Sequence, residues 1–127
     1  MLFDTDVLIW SQRGSERAAE TIAKAEERNI SVQTYLELLR GARDKADQRT
    51  IRRFIEEGQF SILPLTENIG HRAMIYMEEF TLACSLDPGD AIIAATAVEH
   101  DLPLVTANLK HYRAIRELQL RPFRPTP

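Results

Sequence analysis

The run Leu2-Phe3-Asp4-Thr5-Asp6-Val7-Leu8-Ile9 sets two carboxylates and a hydroxyl inside an otherwise apolar segment. A chain can bury Leu2 and Phe3 in a strand only if it brings Asp4 to the rim of the core. An ionised carboxylate away from water is costly unless something compensates it. A buried strand that ends in acids therefore points to a metal, a phosphate or a reaction as the compensation. Asp4 is the anchor expected of an acidic, metal-binding site, and Asp6 reads as a local hydrogen-bonding or capping residue.

Short apolar strands are predicted over residues 2–4, 29–32, 60–65 and 102–106 and near 118–120. Between them, helical spacing of apolar positions predicts helices over 16–28, 34–42, 44 or 47 to 57, 67–83 and 91–100, with short helical turns at 7–10 and 109–112. Pro64 places the third strand at a sheet edge or ends it. Strands alternating with helices imply βαβ units, hence an α/β fold: a central parallel sheet of about five strands with helices on both faces. Residues 91–100 are apolar nearly all round, as a buried helix must be. In such sheets a ligand sits outside the carboxyl ends of the strands, where Asp4, Thr106 and Asn108 fall. No repeat or Gly/Ser/Pro-rich linker divides the 127 residues, so one domain is expected over 1–127, with a strand and a Pro-rich tail over 118–127.

Composition narrows the class further. Hydrophobic residues at 44% and charged residues at 28% describe an ordinary globular chain. No apolar run approaches the roughly 18–20 residues of a membrane span, so no membrane association is expected. Asp4 and Asp6 interrupt any signal-peptide core. The single cysteine, Cys84, excludes an intramolecular disulfide and suits a reducing compartment, so a cytoplasmic location is expected. The net charge of -3 is unevenly spread. Residues 40–53 hold six basic against two acidic residues, and residues 110–127 hold five against one. Such segments grip a phosphate backbone or simply line solvated helix faces.

Two further acids invite the same question as Asp4. Glu37 lies one turn into a helix that starts at a strand end, flanked by Leu36 and Leu38. It reads as a solvent-facing helix residue or as a site residue at the core boundary. Asp90 follows Asp87-Pro88-Gly89, where it caps a helix N-terminus or turns inward beside Ala94 and Ala97. The three histidines show no zinc-site spacing, and neither a Gly-rich phosphate loop nor a nucleophile elbow is present. Three carboxylates at one sheet edge prefer hard cations, Mg²⁺ or Mn²⁺. Two such ions roughly 4 Å apart can clamp the attacking and leaving oxygens of a phosphodiester displacement with no protein nucleophile.

Four segments occur in a telling order: Asp4-Thr5-Asp6-Val7, Ser31 to Glu37 followed by Leu38-Leu39-Arg40-Gly41, Asp90-Ala91-Ile92-Ile93-Ala94-Ala95, and Leu104-Val105-Thr106-Ala107-Asn108. Together they resemble a PIN domain, most closely a VapC-type toxin ribonuclease of a toxin–antitoxin pair. The resemblance implies a five-stranded parallel sheet and metal coordination with water activation by Asp4, Glu37 and Asp90. Thr5 and Thr106 would orient those acids through hydrogen bonds. It also implies endonucleolytic cleavage of RNA, a small antitoxin that covers the site, and a homodimer.

One departure bears on the metal count. Many relatives carry a fourth acid in the segment that here reads Thr106-Ala107-Asn108-Leu109-Lys110-His111-Tyr112, where Asn108 and His111 occupy the candidate positions. One metal is then strongly required and a second weakly held, with Asn108 acting through a water or the substrate. The helix over 44–57 and the one before it are expected to clamp an antitoxin segment, with Arg43, Arg52 and Arg53 meeting RNA phosphates or the partner's acids. Two other readings stand beside this one: a PIN-like module that binds RNA or protein without cutting, and a haloacid-dehalogenase-like phosphatase, whose opening Asp4-Thr5-Asp6 matches.

Overall fold

A computed structural model describes residues 1–125; the last two positions of the expected Pro-rich tail, 126–127, lie outside the described residues. Five strands, β1 (Leu2–Phe3), β2 (Asn29–Ser31), β3 (Ser61–Leu63), β4 (Leu104–Thr106) and β5 (Leu120–Pro122), form one sheet in the order β3-β2-β1-β4-β5. Every pairing is parallel. The first strand is thus the central one, and Pro122 lies on an edge strand, where a missing N–H is tolerated.

The helices are α1 (Thr5–Gln12), α2 (Glu16–Lys24), α3 (Val32–Arg40), α4 (Lys45–Glu57), α5 (Glu67–Phe80), α6 (Pro88–Glu99) and α7 (Leu109–Tyr112). Because successive strand side chains point to opposite faces, Leu2 and Leu104 enter an apolar cluster with α5, α6 and α7. Phe3, Ile30 and Val105 enter a second cluster with α1 to α4. Both faces of the sheet are covered, as expected for parallel strands. Within α6, Ala91, Ile93, Ala94, Ala95 and Ala97 are all buried, matching its apolar circumference.

The differences from the predicted boundaries have local causes. A full helix, α1, begins directly at Thr5, where only a turn from Val7 was expected. Asp4 caps it, its Oδ1 accepting the Thr5 N–H at 2.8 Å. Ser31 caps α3 two residues earlier than predicted, accepting the Gln33 N–H at 3.0 Å. α2 stops at Lys24, short of residue 28, and the Arg28 guanidinium folds back onto three carbonyls. It reaches Ile22 at 2.9 Å, Ala23 at 3.2 Å and Gly58 at 2.8 Å, tying the ends of α2 and α4 together at the entrances to β2 and β3. The last strand lies two residues later than predicted.

Candidate active site

The carboxyl end of the central strand opens onto a cluster of acids, each delivered by a helix start or first turns. Asp4, only 5% exposed, leaves β1 and immediately caps α1. Its Oδ1 takes the backbone N–H of Thr5, while Oδ2 takes hydroxyl bonds from Thr106 at 2.7 Å and Tyr112 at 3.1 Å. Burial, and then the charge of Asp6, push its carboxyl up to about 7, although these hydrogen bonds pull the other way. Asp6 lies one position into the first turn of α1 from Thr5. Its Oδ2 accepts the Ala107 N–H at 3.0 Å, fastening α1 to the exit of β4, and burial raises its pKa as well. The bond of Asp6 therefore crosses to the exit of the neighbouring strand, distant in sequence and not local.

Glu37 projects from α3 into the same region. Thr5 Oγ1 donates to its Oε1 at 2.5 Å and lies 3.1 Å from the Thr34 hydroxyl, and Gln33 Nε2 donates to Oε2 at 3.3 Å. Thr5 thus joins Asp4 through its backbone and Glu37 through its side chain. Gly89, on the first turn of α6, completes the seat of Glu37. A Cβ at that position would lie 2.8 Å from Glu37 Oε2 and 3.0 Å from Gln33 Nε2.

Asp90 resolves its two readings by serving both. It forms a capping box with Asp87, each side chain accepting the other's backbone N–H at 2.8 and 3.2 Å. Its Oδ1 also accepts from Tyr112 at 3.2 Å, and its Oδ2 lies 3.2 Å from His111 Nδ1. Burial is the main cause that raises the Asp90 pKa, with the nearby Asp87 adding to it.

The structure therefore gathers Asp4, Glu37 and Asp90, with Thr5 and Thr106 bonded to them as expected. Asn108 is different: its side chain is exposed and makes no capping bond, and only its backbone engages, donating to Thr106 Oγ1 at 3.0 Å. Tyr112, which carried no assigned role in the sequence, and His111, which stood at a candidate position for the missing fourth acid, both contact Asp90. The signal for them was their place in the segment after β4, three and four residues beyond Asn108, which returns one turn of α7 to the acids.

Among the described residues, no three His, Cys, Asp or Glu side chains converge as a ready-made metal cage. The hydroxyls of Thr5 and Tyr112 instead interleave the carboxylates. The donor set nonetheless fits a hard divalent cation: every acidic donor is oxygen. In addition, Asp6 Oδ1 is buried with no hydrogen-bond partner, a cost that a nearby cation would relieve.

Beside Glu37, a groove of about 580 Å³ runs between α1, α3 and α4, with Ile9, Leu38 and Ile51 along it and Arg13 and Arg43 among its polar lining. Arg43 is held by Asp47 at 2.9 Å. Arg52 and Arg53 do not line this groove; with Arg49 they border a separate depression on α4.

Comparison with known proteins bears on the fold and the family. A family model described as PIN domain matches residues 1–117. Ribonuclease VapC10 of Mycobacterium tuberculosis is 34% identical over 123 residues, covering 94% of this chain and 90% of that protein. Among solved structures, a toxin-antitoxin complex from Klebsiella pneumoniae superposes with a TM-score of 0.79 at 29% identity, covering 98% of this chain and 97% of that one. VapBC2 from Rickettsia felis, bound to a DNA fragment from its promoter, shares the fold at a TM-score of 0.80 and 19% identity, covering 97% and 98%. The haloacid-dehalogenase alternative falls with these matches, and this chain belongs to the PIN domain family, within its VapC group.

Proposed function

We propose that this protein is an endoribonuclease that hydrolyses RNA phosphodiester bonds with Mg²⁺ or Mn²⁺ and acts as the toxin of a toxin–antitoxin pair in the cytoplasm. The observation that carries this reading is the joining of Asp4, Glu37 and Asp90 at one sheet edge through Thr5 and Tyr112. Asp4, Asp90 and Glu37 would hold the cation, which supplies a positive charge for the phosphate and a readily ionised water. Thr106 and Thr5 keep the carboxylates aimed. A module that only binds RNA gains nothing from carboxylates turned towards phosphate, so the acids favour cleavage over the binding-only alternative.

The name of the relative, Ribonuclease VapC10, and the toxin–antitoxin complex from Klebsiella pneumoniae support the substrate and partner classes. The groove between α1, α3 and α4 opens beside Glu37 and is our proposed seat for an antitoxin segment, with Arg43 at its side. Arg52 and Arg53, on the exposed face of α4, are proposed contacts for RNA phosphates. A homodimer belongs to the same proposal, with exposed Leu65 and Met74, which border one apolar hollow with Met77 and Ile92, as the face to cover. No helix among the described residues is long and apolar enough to cross a membrane.

The test compares wild type with Asp4→Asn and Asp90→Asn in RNA cleavage with and without Mg²⁺, alongside toxicity on expression. Cleavage should require the metal and fall by more than about a hundred-fold in both variants, beyond what loss of an outer-sphere partner usually costs. Variants that cut as fast as wild type would remove the site assignment.

A further inference from the structure

Tyr112 is fully buried, and its ring packs in the cluster that joins β1, β4, α5 and α6. A phenylalanine would fill that space equally well, so packing does not account for the oxygen. The hydroxyl instead reaches Asp4 Oδ2 at 3.1 Å and Asp90 Oδ1 at 3.2 Å. It is the one atom among the described hydrogen bonds that touches both carboxylates. These acids come from the first strand end and from a helix 86 positions later in the sequence.

Each carboxylate also has a further partner. Asp4 Oδ2 already takes the Thr106 hydroxyl, and Asp90 Oδ2 is held by the Asp87 N–H and faces His111. The phenol therefore closes a chain running Thr106–Asp4–Tyr112–Asp90–Asp87. It saturates Asp4 Oδ2, leaving Oδ1 with a single backbone donor. A phenol has one proton, which it gives to one carboxylate at a time; held within 3.2 Å of both, the same oxygen sets the spacing of the two acids.

We propose that Tyr112 is a positioning residue: its hydroxyl ties Asp4 to Asp90 and so fixes the two carboxylates from which a divalent cation would be held. This rests on the metal-dependent reading of the site given above. Partners of this kind typically change metal affinity or activity by about 10–100-fold. The contrast within the same chain is Tyr76, whose hydroxyl donates to Glu117 in a network with Arg72 and Glu99, a set of residues separate from the acids.

The experiment measures Mn²⁺ binding to metal-free protein by electron paramagnetic resonance, and kcat and KM on an RNA oligonucleotide. Wild type, Tyr112→Phe and Tyr76→Phe are compared. Tyr112→Phe should weaken Mn²⁺ binding about ten-fold and lower kcat with KM held within about two-fold. Tyr76→Phe should leave Mn²⁺ affinity at the wild-type value while lowering Tm. A Tyr112→Phe variant that binds Mn²⁺ within about two-fold of wild type overturns the inference and leaves the nuclease reading intact. A wild type that neither binds Mn²⁺ nor cuts RNA overturns both. A second measurement does not depend on the Tyr112 variant folding. Mn²⁺ added to metal-free wild type and to Tyr76→Phe should perturb the near-ultraviolet band of a buried tyrosine equally in both; no perturbation in either counts against Tyr112.

Discussion

The Glu37 carboxylate occupies the space where a side chain at position 89 would begin. A Cβ on Gly89 would meet Glu37 Oε2 at 2.8 Å. Gly89 lies in ordinary helical backbone without a positive φ, so the glycine is required by proximity and not by conformation. Gly89→Ala pushes against the flexible ends of Glu37 and Gln33. Folding should therefore change by less than about 1 kcal/mol, with improved helix propensity offsetting part of the cost. RNA cleavage should fall at least about ten-fold as Glu37 is displaced. Thermal melts beside cleavage rates check this; equal rates in both proteins would show that Glu37 keeps its place.

The raised pKa of Asp4 gives the metal-free protein an unusual pH dependence. Its carboxyl titrates near 7 in the fold, against 3.8 ordinarily, so the folded state holds the proton more tightly than the unfolded chain does. The stability this provides is complete below about pH 4 and is lost as the pH rises through about 7. Metal-free Tm should fall between pH 5.5 and 8, and Mg²⁺ or Mn²⁺ should restore more of it at the higher pH, because cations compete with that proton. Asp4→Asn, which mimics the protonated form, should flatten the profile. Scanning calorimetry across this range is the measurement.

Thr106, itself fully buried, donates to Asp4 Oδ2 and accepts the Asn108 N–H. Thr106→Val keeps the shape but removes both bonds. Cleavage should drop about 10–100-fold, and stability by about 1–3 kcal/mol for the N–H left without a partner. Asn108→Ala, which removes only an exposed side chain, should leave stability within about 0.5 kcal/mol. A larger effect of Asn108→Ala on cleavage than on stability would place its amide against RNA.

Arg28 binds three backbone carbonyls at the ends of α2 and α4. Arg28→Met keeps the stem and removes the guanidinium, so unfolding free energy should fall by about 2–3 kcal/mol, read from urea denaturation. Cleavage by the folded fraction should be unchanged, since this joint lies at the opposite ends of β2 and β3 from the acids.

The sequence carried the fold because its signals were local and agreed with one another. Short apolar strands alternated with helices, Pro64 ended an edge strand, and Ser15, Thr66 and Asp87 cap helices where polar residues precede apolar periodicity, whereas Pro122, read as tail, closes β5. Boundaries moved where side chains replaced backbone partners: Asp4 started α1 early, and Arg28 took up carbonyls beyond the end of α2. Within the site, Asp4, Glu37 and Asp90 were legible as carboxylates with too little structural excuse. Tyr112 was not, because a lone tyrosine in a short basic turn is unremarkable until its hydroxyl is seen between two carboxylates. His111 was set aside as a zinc ligand and read only as standing where relatives carry an acid; its partner is the acid Asp90. Asp6 reads as local until Ala107, 101 residues away, appears as its donor.

Strand order has a consequence for the timing of activity. β1 lies between β2 and β4, so the strand carrying Asp4 gains its second neighbour only when residues 104–106 have been made. A nascent chain stopped at residue 100 already holds Asp4, Glu37 and Asp90, yet lacks Thr106, Tyr112 and the strand that flanks Asp4. Pairings so distant in sequence also form slowly. A fragment that ends before β4 should therefore lack a formed acid cluster and leave RNA uncut, so cleavage is expected to begin only once the chain extends through β4 and α7.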